Sequence, residues 1–186
     1  MAGGFRQQPV GSTRVVDRAG TQLQMHPGAR AAITEILTDQ RWTTAGTEIA
    51  YASRTDCPEW AREALGLMRV TQAFTLAEAA AYKEIYPVRS KTEQFSRLRE
   101  KSGVEYREML FFDNEMRNVR EVGALGCLCV YTPGGMALKN WQDGLEEYAK
   151  HARFHIEDEL SGRWRAGARG GREARGRAEG GKSRVP

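Results

Sequence analysis

One short stretch limits the fold of this chain more than any other feature. The apolar segment 109–112 is followed at once by Asp113, Asn114 and Glu115. An apolar run that ends abruptly in polar residues is typical of a buried parallel strand. The next residues, 116–122, place an apolar side chain at every third position, which predicts a helix. A strand, a polar turn and a helix form half of a βαβ unit, and ligands of open α/β sheets bind beyond the carboxyl ends of such strands.

Asp113 lies where such a sheet would hold a ligand. A carboxylate at this place is a candidate ligand for a hard cation such as Mg²⁺, which takes oxygen ligands and keeps several waters. The alternative is that Asp113 only caps the helix that follows it. The strand taken alone does not decide between the two.

The rest of the chain alternates strand and helix patterns in the same way. A hairpin is expected at 14–25, with Gly20 near its turn, and Pro27, Pro58 and Thr92 open three predicted helices. Further strands are expected at 48–52, 82–86 and 126–131, and a last helix at 136–160. Strands that alternate with helices predict an α/β fold with a parallel, doubly wound sheet.

Three of these strand ends carry polar groups that suit phosphoryl transfer. They are Ser53 with Arg54, Lys91 in the loop after the third strand, and Asp113. A hydroxyl can donate to a phosphate oxygen, a lysine can offset negative charge, and a carboxylate can hold Mg²⁺. The order of hydroxyl, lysine and acid, each after its own strand, predicts a phosphate site more specifically than any one of them.

These segments resemble motifs two, three and four of the haloacid dehalogenase (HAD) superfamily of phosphatases. The similar blocks are 52–55, 84–87 with Ser90 and Lys91, and 111–118, and the whole resemblance runs from about Thr13 to Glu147. The branch most similar is the eukaryotic magnesium-dependent phosphatase 1 family. The resemblance implies a Rossmann-like parallel sheet with a minimal cap. It also implies hydrolysis of phosphomonoesters through an aspartyl-phosphate, with phosphotyrosine, phosphorylated sugars or glycated amines as the substrate class.

The resemblance also implies roles for individual residues. Ser53 would bind the phosphate, and Arg54 would line the substrate entrance. Lys91 would act catalytically by stabilising the nucleophile and the phosphate. Asp113 would be a ligand of the Mg²⁺ cofactor. Asn114 stands where the family usually has a second acid, and its amide would orient a metal-bound water without adding charge.

The amino-terminal end departs from the family pattern. Family members begin with a strand that ends in Asp-x-Asp, which supplies the nucleophile and the general acid, and that strand is central in the sheet. Residues 1–13 contain no Asp and no apolar strand, and the first acid of the chain is Asp17 in the hairpin. We therefore expect a chain that lacks its amino-terminal segment and is inactive as it stands. The alternative is a non-catalytic relic that binds phosphate or protein.

Composition and charge indicate where the folded domain begins and ends. Its 186 residues suit one sizeable core, expected over 14–160, between a disordered lead-in at 1–13 and a tail at 161–186. The tail has eight basic and two acidic residues, so it carries +6 and the remainder −2 of the net +4. A tail this poor in apolar residues is expected to be disordered and adds only weak, salt-sensitive attraction to nucleic acid, which we do not expect as a partner. No apolar run is long enough to span a membrane, and we expect a cytoplasmic monomer.

Overall fold

The computed structural model describes residues 4–7 and 15–160 of the chain. The predicted basic tail and most of the predicted lead-in lie outside these residues. The strands are β1 Phe5–Gln7, β2 Val15–Asp17, β3 Gln22–Leu23, β4 Ala50–Ser53, β5 Tyr82–Ile85, β6 Leu110–Asp113 and β7 Leu128–Tyr131. The helices are α1 Pro27–Thr38, α2 Gln40–Thr44, α3 Pro58–Leu67, α4 Leu76–Ala79, α5 Lys91–Ser102, α6 Met116–Gly123 and α7 Leu138–Leu160, with a 3₁₀ turn at Tyr106–Glu108.

The central strands form two parallel pairs, which confirms the α/β prediction. Strand β4 pairs with β5, so that Ser53 lies opposite Ile85. Strand β6 pairs with β7, so that Asp113 lies opposite Tyr131. Within residues 4–7 and 15–160, no strand pairs with the other edge of β4 or of β6. The two parallel pairs agree with the prediction of a Rossmann-like fold.

A small antiparallel sheet precedes these pairs. The predicted hairpin is present as β2 and β3, and Gly20 adopts a positive φ of 86° at its turn. Residues 1–13 were predicted to be a disordered lead-in, whereas Phe5–Gln7 form β1, in which Phe5 pairs opposite Asp17 of β2. A strand of three residues has no detectable period, and it forms here because the outer edge of β2 supplies backbone partners.

Helix α5 begins one residue earlier than predicted. Thr92 was the predicted N-cap. The N-cap is instead Ser90, whose hydroxyl oxygen accepts a hydrogen bond from the Thr92 amide. Lys91 is therefore the first residue of the helix rather than part of the preceding loop. The predicted end is confirmed, since Gly103 follows in the left-handed conformation with a φ of 73°.

The core covers both sides of these strand pairs. One buried cluster joins α5 and α6 to β6 and β7 through Phe95, Leu98, Val122 and Cys127. A second, formed by Val70, Leu76 and Ala79, packs beneath α1 and β4. Helix α5 thereby rests on both strand pairs, and its first turn lies at their carboxyl ends. No helix in the described part of the chain is long and apolar enough to cross a membrane.

Candidate active site

Lys91 occupies the centre of the predicted site. Its side chain is 4% exposed, and its ammonium donates to the Ala52 carbonyl at the end of β4. The same nitrogen lies 3.5 Å from Oδ2 of Asp113 at the end of β6. Burial lowers the pKa of Lys91 below its ordinary value, while the Asp113 carboxylate opposes that shift. One buried cation therefore joins the two strand pairs at the edge where a phosphate site was predicted.

Asp113 is held so that only one of its oxygens faces Lys91. Its Oδ1 accepts from the Glu115 amide at 2.7 Å and from Nδ2 of Asn118 at 3.0 Å. The backbone is fixed as well, because the Thr132 amide donates to the Asp113 carbonyl at 2.9 Å. The capping alternative does not hold, because the N-cap of α6 is Glu115 and Oδ1 of Asp113 accepts from the amide of that residue rather than from an amide inside the helix. Oδ1 accepts hydrogen bonds around the start of α6, and Oδ2 remains available to a cation.

Arg54 closes one side of the site. Its guanidinium is 2.6 Å from Oε2 of Glu115 and donates at 3.5 Å to the Arg89 carbonyl. The side chain is 18% exposed, so its charge is only partly screened by water. This ion pair is a second link between the loop after β4 and the loop after β6. That Arg54 lines a substrate entrance stays a prediction.

Ser53 is positioned through its backbone. Its carbonyl accepts from the Tyr86 amide at 3.2 Å and from Nε2 of Gln94 at 2.8 Å. Its half-buried hydroxyl makes no hydrogen bond to the other described residues. Nε2 of Gln94 also donates to the Glu84 carbonyl at 2.9 Å, so one buried amide joins the ends of β4 and β5 to α5.

The sequence analysis missed the two buried amides of the site, Gln94 and Asn118. Gln94 is fully buried and lies one helical turn after Lys91, and Asn118 is 3% exposed. A polar residue one turn from a predicted site residue, on the face that the apolar pattern assigns to the core, would have been the signal. Asn114 instead lies exposed in the turn between β6 and α6. The amide in contact with Asp113 belongs to Asn118.

The oxygen atoms around Asp113 include possible partners for a magnesium ion. No cluster of three or more His, Cys, Asp or Glu side chains among the described residues has a geometry for holding a metal. Asp113 still offers Oδ2, and Oδ1 of Asn118 is buried without a hydrogen-bond partner in this part of the chain. One carboxylate ligand with an acceptor for coordinated water fits a water-rich Mg²⁺ site. The remaining ligands would be waters and substrate oxygens.

Comparison with known proteins decides the family. A family model described as Acid Phosphatase matches residues 2–151. The human protein named magnesium-dependent phosphatase 1 is 36% identical over 146 residues, which cover 78% of this chain and 74% of the human protein. The chain belongs to the Acid Phosphatase family, together with magnesium-dependent phosphatase 1. A HAD-like hydrolase superfamily protein of Schizosaccharomyces pombe is also 36% identical, over 115 residues that cover 60% of this chain and 62% of the yeast protein.

Membership in the family confirms the HAD phosphatase resemblance and makes phosphoric monoester hydrolysis the reaction class. The matched range contains Lys91, Asp113 and the strand ends that carry them. The roles assigned to individual residues stay predictions from the resemblance.

Proposed function

We propose that the edge formed by β4, β5 and β6 is the site of a magnesium-dependent hydrolysis of phosphomonoesters of the phosphotyrosine or phosphosugar and glycated-amine class, and that this chain binds phosphate there but is inactive without a nucleophile. The observation that supports this site best is the position of Lys91. Its ammonium lies beside both the carboxyl end of β4 and Oδ2 of Asp113. Transfer of a phosphoryl group depends mainly on positioning and charge neutralisation, and a buried cation between two strand ends provides both.

Each predicted residue has a distinct task in the proposal. Lys91 offsets the charge of the phosphate and of the attacking carboxylate. The Ser53 hydroxyl donates to a phosphate oxygen. Arg54, already tied to Glu115 at the entrance, orients the remainder of the substrate. A cation in a site with little water acts more strongly than the same cation in solvent.

Mg²⁺ is the proposed cofactor, with Oδ2 of Asp113 as its ligand. Support comes from the donor set around Asp113 and from the name of the human relative, which is magnesium-dependent. When bound, the ion would add positive charge beside the transferring phosphate. Asn114, in the exposed turn beside Asp113, is proposed to orient a metal-bound water.

The nucleophile is the part that the described residues do not supply. The acids around Lys91 already have partners: Asp113 accepts two hydrogen bonds at Oδ1, Glu115 pairs with Arg54, and Glu121 accepts from the Lys91 amide. The 186 residues contain no Asp-x-Asp sequence. We therefore propose that these residues bind phosphate and Mg²⁺ without forming a phosphoenzyme, unless a carboxylate nucleophile is added.

The test combines binding with turnover. Inorganic phosphate binding is measured by calorimetry, and p-nitrophenyl phosphate hydrolysis with Mg²⁺ by absorbance, for the wild type, Lys91→Met and Asp113→Asn. Lys150→Met, which removes an exposed lysine, is the control. We expect wild-type phosphate binding that weakens at least about tenfold in Lys91→Met, from loss of a charge-assisted contact, and no turnover.

Two results would contradict the proposal. Turnover that disappears in Asp113→Asn would show that the chain already contains its nucleophile. Absence of both phosphate binding and turnover would remove the phosphate site. Binding without hydrolysis, persisting after a peptide ending in Asp-x-Asp is fused to the amino terminus, would favour the non-catalytic relic.

Three expectations from the sequence stay predictions. The monomeric state is tested by light scattering, and the cytoplasmic location by cell fractionation. Absence of nucleic-acid binding is tested by retention on DNA and RNA at low salt, with a version lacking 161–186 as the control.

A further inference from the structure

Helix α6 contacts Asp113 and the backbone of Lys91. It begins three residues after Asp113, and two of its polar side chains, Asn118 and Glu121, lie one turn apart. Residues three apart on a helix are neighbours on one face. Asn118 reaches Asp113, and Glu121 reaches the residues around Lys91.

Asn118 fixes the rotation of the Asp113 carboxylate. Its Nδ2 donates at 3.0 Å to Oδ1 of Asp113 and at 3.2 Å to Oε2 of Glu115. Both partners are carboxylate oxygens that can only accept, so the orientation of the amide follows from the hydrogen bonds. Because Oδ1 of Asp113 is taken in this way, Oδ2 is the oxygen that faces Lys91.

The oxygen of the Asn118 amide, Oδ1, is buried and has no hydrogen-bond partner among the described residues. An unpaired acceptor in a buried place is destabilising, and native proteins rarely keep one without a reason. Next to a carboxylate that suits Mg²⁺, an amide oxygen can accept from a water of the metal shell.

Glu121 holds the backbone that carries Lys91. Its Oε2 accepts from the Ser90 hydroxyl at 2.8 Å and from the Lys91 amide at 3.1 Å. Its Oε1 accepts from Nε of Arg117 at 2.7 Å, and Arg117 donates at 2.7 Å to the Arg89 carbonyl. The segment 89–91 is therefore bound to α6 at three points.

We infer that Asn118 and Glu121 are positioning residues, through which α6 sets the separation of Lys91 and Asp113. They act through those two side chains and do not touch the phosphate. Because both lie on one short rigid helix, the cation and the carboxylate cannot move independently. The consequence for catalysis rests on the proposed phosphatase function, but the geometry does not.

The inference predicts separate effects on the two ligands. Asn118→Leu is expected to weaken Mg²⁺ binding about tenfold, as loss of a partner of a metal ligand does, with phosphate affinity measured without metal unchanged within about twofold. Glu121→Gln is expected to weaken inorganic phosphate binding about threefold to tenfold, since one charged acceptor becomes neutral. Its Mg²⁺ affinity is expected to stay within about twofold. Calorimetry with each ligand alone measures both affinities.

Matched controls separate positioning from general damage. Gln142→Leu and Glu147→Gln make the same kinds of change on exposed positions of α7 and are expected to alter neither affinity. Thermal melting checks the fold of every variant, and Asn118→Ser and Glu121→Asp replace any variant that does not fold. Parallel loss of both affinities in each variant, or loss of neither, would overturn the inference.

A ligand-free measurement keeps this test independent of the proposed function. The ¹⁵N-edited spectrum of the Lys91 ammonium reports whether that group is sheltered from exchange with water. We expect a resolved signal in the wild type and in Glu147→Gln, and its loss in Glu121→Gln. If the wild type binds neither ligand, the proposed function fails. The spectrum still tests whether Glu121 positions Lys91. An unchanged signal in Glu121→Gln would contradict it.

Discussion

Glu84 shows how a single buried charge is accommodated. It is 1% exposed and accepts from the Lys101 ammonium and from the Tyr86 hydroxyl at 2.7 Å. Burial raises the pKa of Glu84, but these two hydrogen bonds outweigh burial and hold that pKa below its ordinary value of 4.5. Burial and the Glu84 carboxylate raise the pKa of Tyr86 to about 12, so the phenol stays a donor at neutral pH.

Acid is therefore expected to weaken the fold through Glu84. A carboxyl whose pKa is lower in the folded state stabilises that state above its unfolded pKa, and the stabilisation is lost as the pH falls through the folded value. Glu84→Gln is expected to lower the free energy of unfolding by about 1–3 kcal/mol at pH 7 and to flatten its decrease below pH 4.5. Urea unfolding at several pH values measures this. Identical pH slopes in variant and wild type would contradict it.

Gln94 supports a second prediction at this scale. Gln94→Leu removes both donors from the Ser53 and Glu84 carbonyls. We expect a loss of about 1–3 kcal/mol in the free energy of unfolding, because the Glu84 carbonyl loses a partner in a buried place. Gln142→Leu, on the exposed side of α7, is the control. Equal stabilities in urea unfolding would show that Gln94 does not hold the strand ends together.

Helix α1 packs closely against the segment that leads into α7. A Cβ at Gly28 would lie 2.1 Å from the Ala137 backbone, which leads into α7. Farther along, the Glu35 carboxylate accepts from the indole nitrogens of Trp42 at 3.3 Å and Trp141 at 2.8 Å. The two helices are thus fixed by close contact at one end and by a shared carboxylate further along α1.

Two glycine substitutions test this packing. Gly28→Ala is expected to destabilise the protein by about 2 kcal/mol or more, because backbone rather than a flexible side chain must move. Gly66→Ala, in α3, has nothing within 4 Å of its Cβ and is expected to stabilise by about 0.5–1 kcal/mol. Thermal melting measures the direction of the stability change in each variant. A neutral Gly28→Ala would show that α1 and α7 are not in close contact.

At the scale of the whole molecule, the two parallel pairs are connected mainly by side chains at the carboxyl ends of their strands. The Ile49 and Ser53 carbonyls bond toward β5, so Ala50 and Ala52 face the other edge of β4. Lys91 is the partner of the Ala52 carbonyl there. An edge held by one side chain is expected to open more readily than a strand ladder.

Hydrogen exchange tests this arrangement. We expect slow amide exchange at residues 51 and 111, which face β5 and β7, and faster exchange at 50, 52, 110 and 112, which face the other edges. Amide exchange by NMR at neutral pH measures each position. Equal protection on both edges would mean that another strand pairs there.

The sequence predicted most of the elements because their signals are local. The apolar composition of residues 109–113 predicts a strand. Pro27 and Pro58 predict the starts of two helices, and the structure confirms both. The misses at β1 and at the cap of α5 have one cause. A three-residue strand and the choice between Ser90 and Thr92 depend on neighbours that a local pattern does not contain.

By itself, the amino-acid sequence determined the α/β class, the phosphatase family and the order of hydroxyl, lysine and acid along the chain. These follow from periodicity, turn residues and short motifs, which act over a few residues. Only the tertiary structure decided that Lys91 faces Oδ2 of Asp113, that Asn118 rather than Asn114 holds that carboxylate, and that Gln94 joins β4 to β5. Those contacts span up to about 40 residues of chain, and folding creates them by burying polar groups that must then find partners.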